Sequence, residues 1–260
     1  MEIIKSRQNQ RIQTVRELSR NAELRQKTGL CVCDGEKLLA EALRSGSEVE
    51  SVFWKESRIG DFPAFQYEAL LPEALFDYAS PLKNSPGPLF TVRLPQLNQA
   101  GAGELQQSRN GECVLVLEGV QDPGNVGTVL RTADAFGVDF VVLMEGCADV
   151  TAPKTVRSTM GAIFRQRVLQ MNREELLPFC RGRGLKLYAA ALTERAGDVR
   201  EVTLRNAAVC VGSEGRGLSR ELLDLCDGEV IIPMRGAAES LNAAVAAAIL
   251  MWEMCRGERS

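Results

Sequence analysis

The sequence predicts an α/β protein with a mostly parallel sheet. Beyond residue 112, short apolar runs alternate with segments of helical period, and strands that alternate with helices build a parallel sheet covered on both sides. Those runs are rich in Val, Ile, Leu and Ala and lack polar alternation, as strands buried on both faces do. The first hundred residues carry a second, smaller α/β pattern.

In that first part, residues 9–26 place Ile12, Val15, Leu18 and Leu24 at helical spacing. Residues 30–33 read as a strand, 36–44 as a helix, 49–54 as a strand, 72–78 as a helix and 89–94 as a strand. The connection 80–88, SPLKNSPGP, is punctuated by Pro and Gly and reads as a mobile loop. Residues 95–111, PQLNQAGAGELQQSRNG, are polar and Gly-containing, which is how an exposed linker reads. The expected organisation is therefore an N-terminal domain over 1–97, a linker over 98–111 and a larger domain over 112–260. Within the last, 113–119, 139–145, 185–192, 207–214 and 228–234 read as strands, and 126–136, 174–181, 219–225 and 241–256 as helices.

Composition narrows the chemistry. The chain has 260 residues, 45% hydrophobic and 25% charged, which fits globular domains and excludes disordered, collagen-like and coiled-coil classes. It contains no histidine, so Ser/His/Asp and Cys/His nucleophiles, an imidazole base and a His-bearing zinc site are ruled out. Against 34 Asp and Glu stand 31 Lys and Arg, a net charge of −3, so attraction to nucleic acid has to be local. The cysteines Cys31, Cys33, Cys113, Cys147, Cys180, Cys210, Cys226 and Cys255 form no CxxC pair and are expected to be buried free thiols, with no metal. The opening Met-Glu-Ile-Ile-Lys has no signal-peptide core, and the longest apolar run, 243–252, falls short of the ~18 residues that span a bilayer. The expectation is a cytoplasmic protein without a membrane partner.

Three segments leave strands through loops into helices, and such strand ends are where ligands collect in open α/β sheets. The first, GVQDPGNVGTVLR over 119–131, offers a helix N-terminus to an anion, with Arg131 two turns along; Asn125 equally reads as the helix N-cap. The second, VCVGSEGRGLS over 209–219, has three glycines that let backbone approach a ligand. It is not G-x-G-x-x-G, and the position twenty residues past Gly212 is apolar Ile232, which argues against a dinucleotide site; no P-loop run occurs either. The third, IIPMRGAAESLNAAVAAAIL over 231–250, has Ser240 placed to cap an alanine-rich helix.

Together these segments resemble the signature motifs of the SpoU-type (TrmH-like) RNA ribose 2′-O-methyltransferases of the SPOUT superfamily. The likeness is carried by N-x-G-x-x-x-R-T-A-x-A-F-G from Asn125 to Gly137, G-x-E-G-x-G-L from Gly212 to Leu218, and I-P-M followed by S-L-N from Ile232 to Asn242. A further segment, K-x-V-R-S-x-x-G-A-I-F from Lys154 to Phe164, is similar to the family apart from Thr159 and Met160. The resemblance implies a SPOUT-type domain whose C-terminal segment threads a deep trefoil knot, a homodimer, and an N-terminal domain that binds RNA. It also implies S-adenosylmethionine as cofactor, held by Gly212, Ile232, Met234 and Leu241. Asn125, Arg131, Glu214, Ser240 and Asn242 would complete the catalytic site, with Arg131 orienting the hydroxyl, since a guanidinium with pKa above ~12 is a poor base. The implied substrate is ribosomal RNA ahead of transfer RNA; the alternative is a catalytically silent RNA-binding factor on the same scaffold. Two basic stretches are the expected phosphate-contacting faces: Lys5, Arg7, Arg11, Arg16, Arg20, Arg25 and Lys27, and Lys154, Arg157, Arg165 and Arg167. Aromatics at 5% argue for recognition of folded RNA by shape.

Overall fold

The structure, a computed structural model, describes residues 1–94, 110–237 and 239–256. The chain divides into two compact units, Met1–Gln96 with Asp149–Arg165, and Leu97–Ala148 with Gln166–Ser260. The linker expected over 98–111 lies outside the described residues apart from Asn110 and Gly111.

The first unit begins with β1 (Glu2–Ile3), α1 (Gln10–Arg20) and α2 (Ala22–Thr28). The single helix expected over 9–26 is thus two, because the Asn21 side chain accepts from Leu24 N and starts a new helix. β2 (Leu30–Asp34), α3 (Glu36–Arg44), β3 (Val49–Lys55), β4 (Glu68–Leu71), α4 (Glu73–Ala79) and β5 (Leu89–Arg93) follow. The sheet order is β1-β4-β3-β5-β2, with β5 antiparallel to both neighbours. Ile12, Val15 and Leu18 of α1, one helical face, are buried in a core with Phe53, Leu71 and Phe76. The loop 80–88, expected to be mobile, is tied down: Ser80 donates to Asp34 at 2.8 Å and the Ser85 hydroxyl donates to its other oxygen.

Residues 149–165, read in sequence as part of the 112–260 domain, group instead with this first unit. The reason is electrostatic and steric. The Arg25 guanidinium, only 5% exposed, donates to Asp149, to Thr151 Oγ1 at 2.9 Å and to Leu18 O at 2.6 Å, so the buried cation is satisfied on three sides. Arg165 pairs with Glu41, and at Gly161, φ +95°, a Cβ would stand 2.5 Å from Glu41 Cγ. The segment carries α6 (Pro153–Ser158) and a 3-10 turn at Ala162–Phe164.

The second unit continues with β6 (Cys113–Leu117), α5 (Pro123–Phe136), β7 (Phe140–Leu143), β8 (Val168–Gln170), α7 (Arg173–Gly182), β9 (Lys186–Ala190), β10 (Gly197–Asp198), β11 (Ala207–Val211), α8 (Arg220–Leu223), β12 (Gly228–Ile231) and α9 (Ala243–Cys255). All seven strands are parallel, in the order β10-β12-β9-β11-β6-β7-β8. β6 and β11 pair centrally, Leu115 opposite Val209, and every residue of both is buried. Among the described residues no helix is long and apolar enough to cross a membrane. Because the strands are parallel, the loops after β12, β9, β11 and β6 leave four consecutive strands at the same edge.

Candidate active site

α5 begins one turn earlier than expected. Pro123 occupies the first helical position and Asp122, not Asn125, is the N-cap, accepting from Asn125 N at 3.0 Å. The side chain of Asn125 is thereby released from capping. Its Nδ2 donates to Glu214 Oε1 at 2.8 Å.

A similar shift occurs at α9, which is capped by Asn242 rather than Ser240. Asn242 Oδ1 accepts from Ala244 N at 3.0 Å and Val245 N at 3.3 Å. With its oxygen committed to the helix, the amide can present only Nδ2 to the loop. That nitrogen donates to Glu214 Oε1 at 2.6 Å and to Asn125 Oδ1 at 3.2 Å. Ala243 N adds a third donor to Glu214 Oε1 at 3.1 Å. One carboxylate oxygen therefore ties together the loops after β6, β11 and β12.

The glycine-rich loop folds back on itself. Gly217, φ +66°, donates to Ser213 O at 2.8 Å, and a Cβ on Gly212 would lie 2.2 Å from Gly217 C. Glycine at 212 is thus required by the loop's own backbone, a reason other than the approach of a ligand read from the sequence. The far end of the loop is held by Glu118, 8% exposed, which accepts from Ser219 N and Ser219 Oγ, each at 2.7 Å.

Two cavities share the loop 213–218 and Ala243. The first, about 420 Å³, has mainly apolar walls and includes Gly212, Ile232, Met234, Ser240 and Leu241 with Val211 and Leu218. The second, about 590 Å³, includes Asn125, Glu118, Glu145, Arg173 and Arg216. Glu214 lines both. Arg131 lines neither; it is exposed on α5 and makes no hydrogen bond or ion pair among the described residues.

Sequence reading passed over the loop after β9, whose Ala191, Leu192 and Thr193 line the first cavity, and over Glu118, Ser219 and Arg173. Only the position of Glu118 at the end of an apolar run signalled its place. The basic faces are also altered. Arg25 is buried, Arg165 pairs with Glu41, and Arg167 lies over the Phe140 ring at 5.2 Å. In α1, Arg11 stacks on Tyr67 at 3.6 Å and Arg16 on Tyr78 at 3.7 Å. The cysteines expected to be buried are so at Cys31, Cys33, Cys113, Cys180 and Cys210, whereas Cys147, Cys226 and Cys255 are half-buried; burial raises the Cys180 thiol to about 12, which disfavours its thiolate. Among the described residues no group of three His, Cys, Asp or Glu side chains could hold a metal ion.

Comparison with known proteins finds the chain similar to RNA-modifying enzymes. The family model described as the SpoU rRNA Methylase family matches residues 112–252. The chain is 35% identical over 98% of its length, and 99% of the relative's, to the 23S rRNA (guanosine(2553)-2′-O)-methyltransferase RlmP of Bacillus subtilis (strain 168). Its structure is similar to that of an AdoMet-bound rRNA methyltransferase from Sinorhizobium meliloti, with TM-score 0.86, 25% identity and coverage of 100% and 99% of the two chains. It is also similar to an RNA 2′-O ribose methyltransferase, with TM-score 0.82, 29% identity and coverage of 98% of each chain.

Proposed function

The chain belongs to the SpoU rRNA methylase family, and from that membership we infer that it transfers a methyl group from S-adenosylmethionine to a ribose 2′-hydroxyl of structured RNA, ribosomal RNA ahead of transfer RNA. The observation that carries the reading is the meeting of Asn125 and Asn242 on the carboxylate of Glu214, the residue that lines both an apolar and a polar cavity.

The apolar cavity suits the cofactor. Its volume of about 420 Å³ falls in the ~300–1,000 Å³ range of small-molecule sites, and its lining is hydrophobic with few polar groups. Ile232, Met234 and Leu241 would flank the adenine. The backbone of residues 232–234 and 240–241, outside β12 and α9, supplies groups for its polar edge. When bound, the cofactor supplies an electrophilic methyl on a sulfonium centre. The chain's own work is positioning, which contributes most of the rate in an in-line displacement. Asn125 and Asn242 hold the Glu214 carboxylate in one orientation at the junction of the cavities, and Ser240 stands on the cofactor side. Arg131 is assigned with the family to orienting the hydroxyl, although within one copy of the chain it is exposed on α5 and lines neither cavity.

The remaining parts of the reading follow the family. The N-terminal unit binds RNA, with Lys5, Arg7, Arg11, Arg16 and Arg20 in its basic stretch. The C-terminal segment threads a trefoil knot, a reading supported by the return of the chain from β12 across the sheet to pack α9 on α5, β6 and β11. The enzyme works as a homodimer in the cytoplasm; α9 leaves Val245 and Trp252 about half exposed, which suits a second copy. The test is transfer of radiolabelled methyl from S-adenosylmethionine to large-subunit ribosomal RNA taken from cells lacking the gene, with the ribose mapped. Incorporation at one ribose is the expected result. Stoichiometric cofactor binding with no label in any RNA would make the protein a silent binding factor.

A further inference from the structure

The polar cavity holds a cation that packing does not explain. Arg173 occupies the first position of α7, where a positive charge opposes the helix dipole. The helix is capped without it, by the reciprocal pair of Asn172 and Glu175. Its partner is Glu118 Oε1 at 3.5 Å, a long contact to a carboxylate that Ser219 already engages at 2.7 Å on each oxygen. The side chain is 42% exposed, so most of its five N–H donors remain for something else. The cavity it lines also holds Asn125 and Glu214.

Of the four acids lining this cavity, three are occupied. Glu118 holds Ser219, Asp122 caps α5, and Glu214 takes three donors. Arg173 and Arg216 are its two cations, set against four carboxylates, so an anionic group is held in this cavity only where it faces a guanidinium. Resting on the methyltransferase reading for what the ligand is, we propose that the polar cavity seats the acceptor nucleotide and that Arg173 binds a phosphate flanking the target ribose. A guanidinium takes a phosphate through two parallel N–H donors, which fixes the sugar's orientation as well as its place.

The experiment uses the full chain without cofactor and a fluorescent hairpin oligoribonucleotide with a single-stranded loop as probe. Loss of one phosphate contact flattens the dependence of log affinity on log salt by roughly 0.7, and Arg173→Ala is expected to show that change with about a tenfold weaker affinity. Arg173→Lys, which keeps the charge, restores the slope. Affinity for S-adenosylmethionine stays within about twofold of the parent, because Ser219 remains held by Glu118. Arg173→Gln carries the same measurement if the alanine variant does not fold. An unchanged slope overturns the proposal, and so does weaker binding at unchanged slope, which would mark a merely structural role. Failure of the parent protein to methylate RNA would overturn the reaction assigned above while leaving this slope to decide the role of Arg173.

Discussion

Asn125 Nδ2 donates to Glu214 Oε1 at 2.8 Å across 89 residues of chain. The contact exists because Asp122 takes over the capping of α5 and leaves the Asn125 amide free. The same oxygen accepts from Asn242, which caps α9 with its other end. Two helix starts are therefore fastened to one carboxylate, and the site's geometry is an outcome of how those helices begin.

Asn242→Asp separates the two duties of that residue. The aspartate still caps α9, so stability changes by less than the ~1 kcal/mol that loss of a cap costs. It replaces a donor with a carboxylate facing Glu214. Methyl transfer is expected to fall by about 10²-fold, read as kcat under saturating RNA, against a near-parental unfolding midpoint. Equal kcat would remove Asn242 from the site.

Gly212→Ala puts a methyl group 2.2 Å from the Gly217 carbonyl carbon, a backbone atom that cannot rotate aside. The loop has to open at a cost of about 1–3 kcal/mol. Affinity for S-adenosylmethionine, measured by calorimetry, is expected to drop at least about tenfold.

Arg131→Ala removes an exposed side chain that lines neither cavity. Cofactor affinity is expected to stay within about twofold, and single-turnover methyl transfer to fall by about 10²–10³-fold. A variant as active as the parent would end the assignment of Arg131 to the reaction.

Acid should weaken the first unit through Asp149. Burial pushes its carboxyl up, but hydrogen bonds from Thr151 and Arg25 and the Arg25 charge outweigh that and hold it below the usual 3.8. The group binds protons less readily folded than unfolded, so its stabilisation is full above about pH 4 and is lost as pH falls through the depressed folded value. Thermal unfolding of Asp149→Asn should therefore lie below the parent at about pH 7, and the two should converge under acid. Arg25→Ala should cost about 1–3 kcal/mol at neutral pH, since it removes a buried guanidinium together with its hydrogen bonds to Leu18 O, Thr151 and the half-buried Asp149. A gap that is independent of pH would deny the ion pair its role.

Local signals located most elements and misjudged particular boundaries. The helix Glu36–Arg44 stands where its apolar period puts it, and the five expected strands beyond residue 112 coincide with β6, β7, β9, β11 and β12. β4, only Glu68–Leu71, and β8, only Val168–Gln170, are too short to show a period and were not read as strands. Ser240 reads as a helix cap and Asn125 as one of two alternatives, because any Ser, Thr, Asp or Asn near a helix start satisfies that rule. Which one caps depends on where the backbone enters the helix, and Asp122 and Asn242 win in the structure.

The chain's own letters determine that buried strands alternate with helices and that Asn125, Glu214 and Asn242 each follow such a strand, because periodicity and turn chemistry act over a few neighbouring residues. The order β12-β9-β11-β6, which sets those three loops side by side, and the grouping of 149–165 with the first unit are decided by tertiary packing. Strand neighbours are chosen by burial and pairing between distant segments, where loop-closure entropy is offset only once the whole sheet forms. No short window of sequence contains that choice.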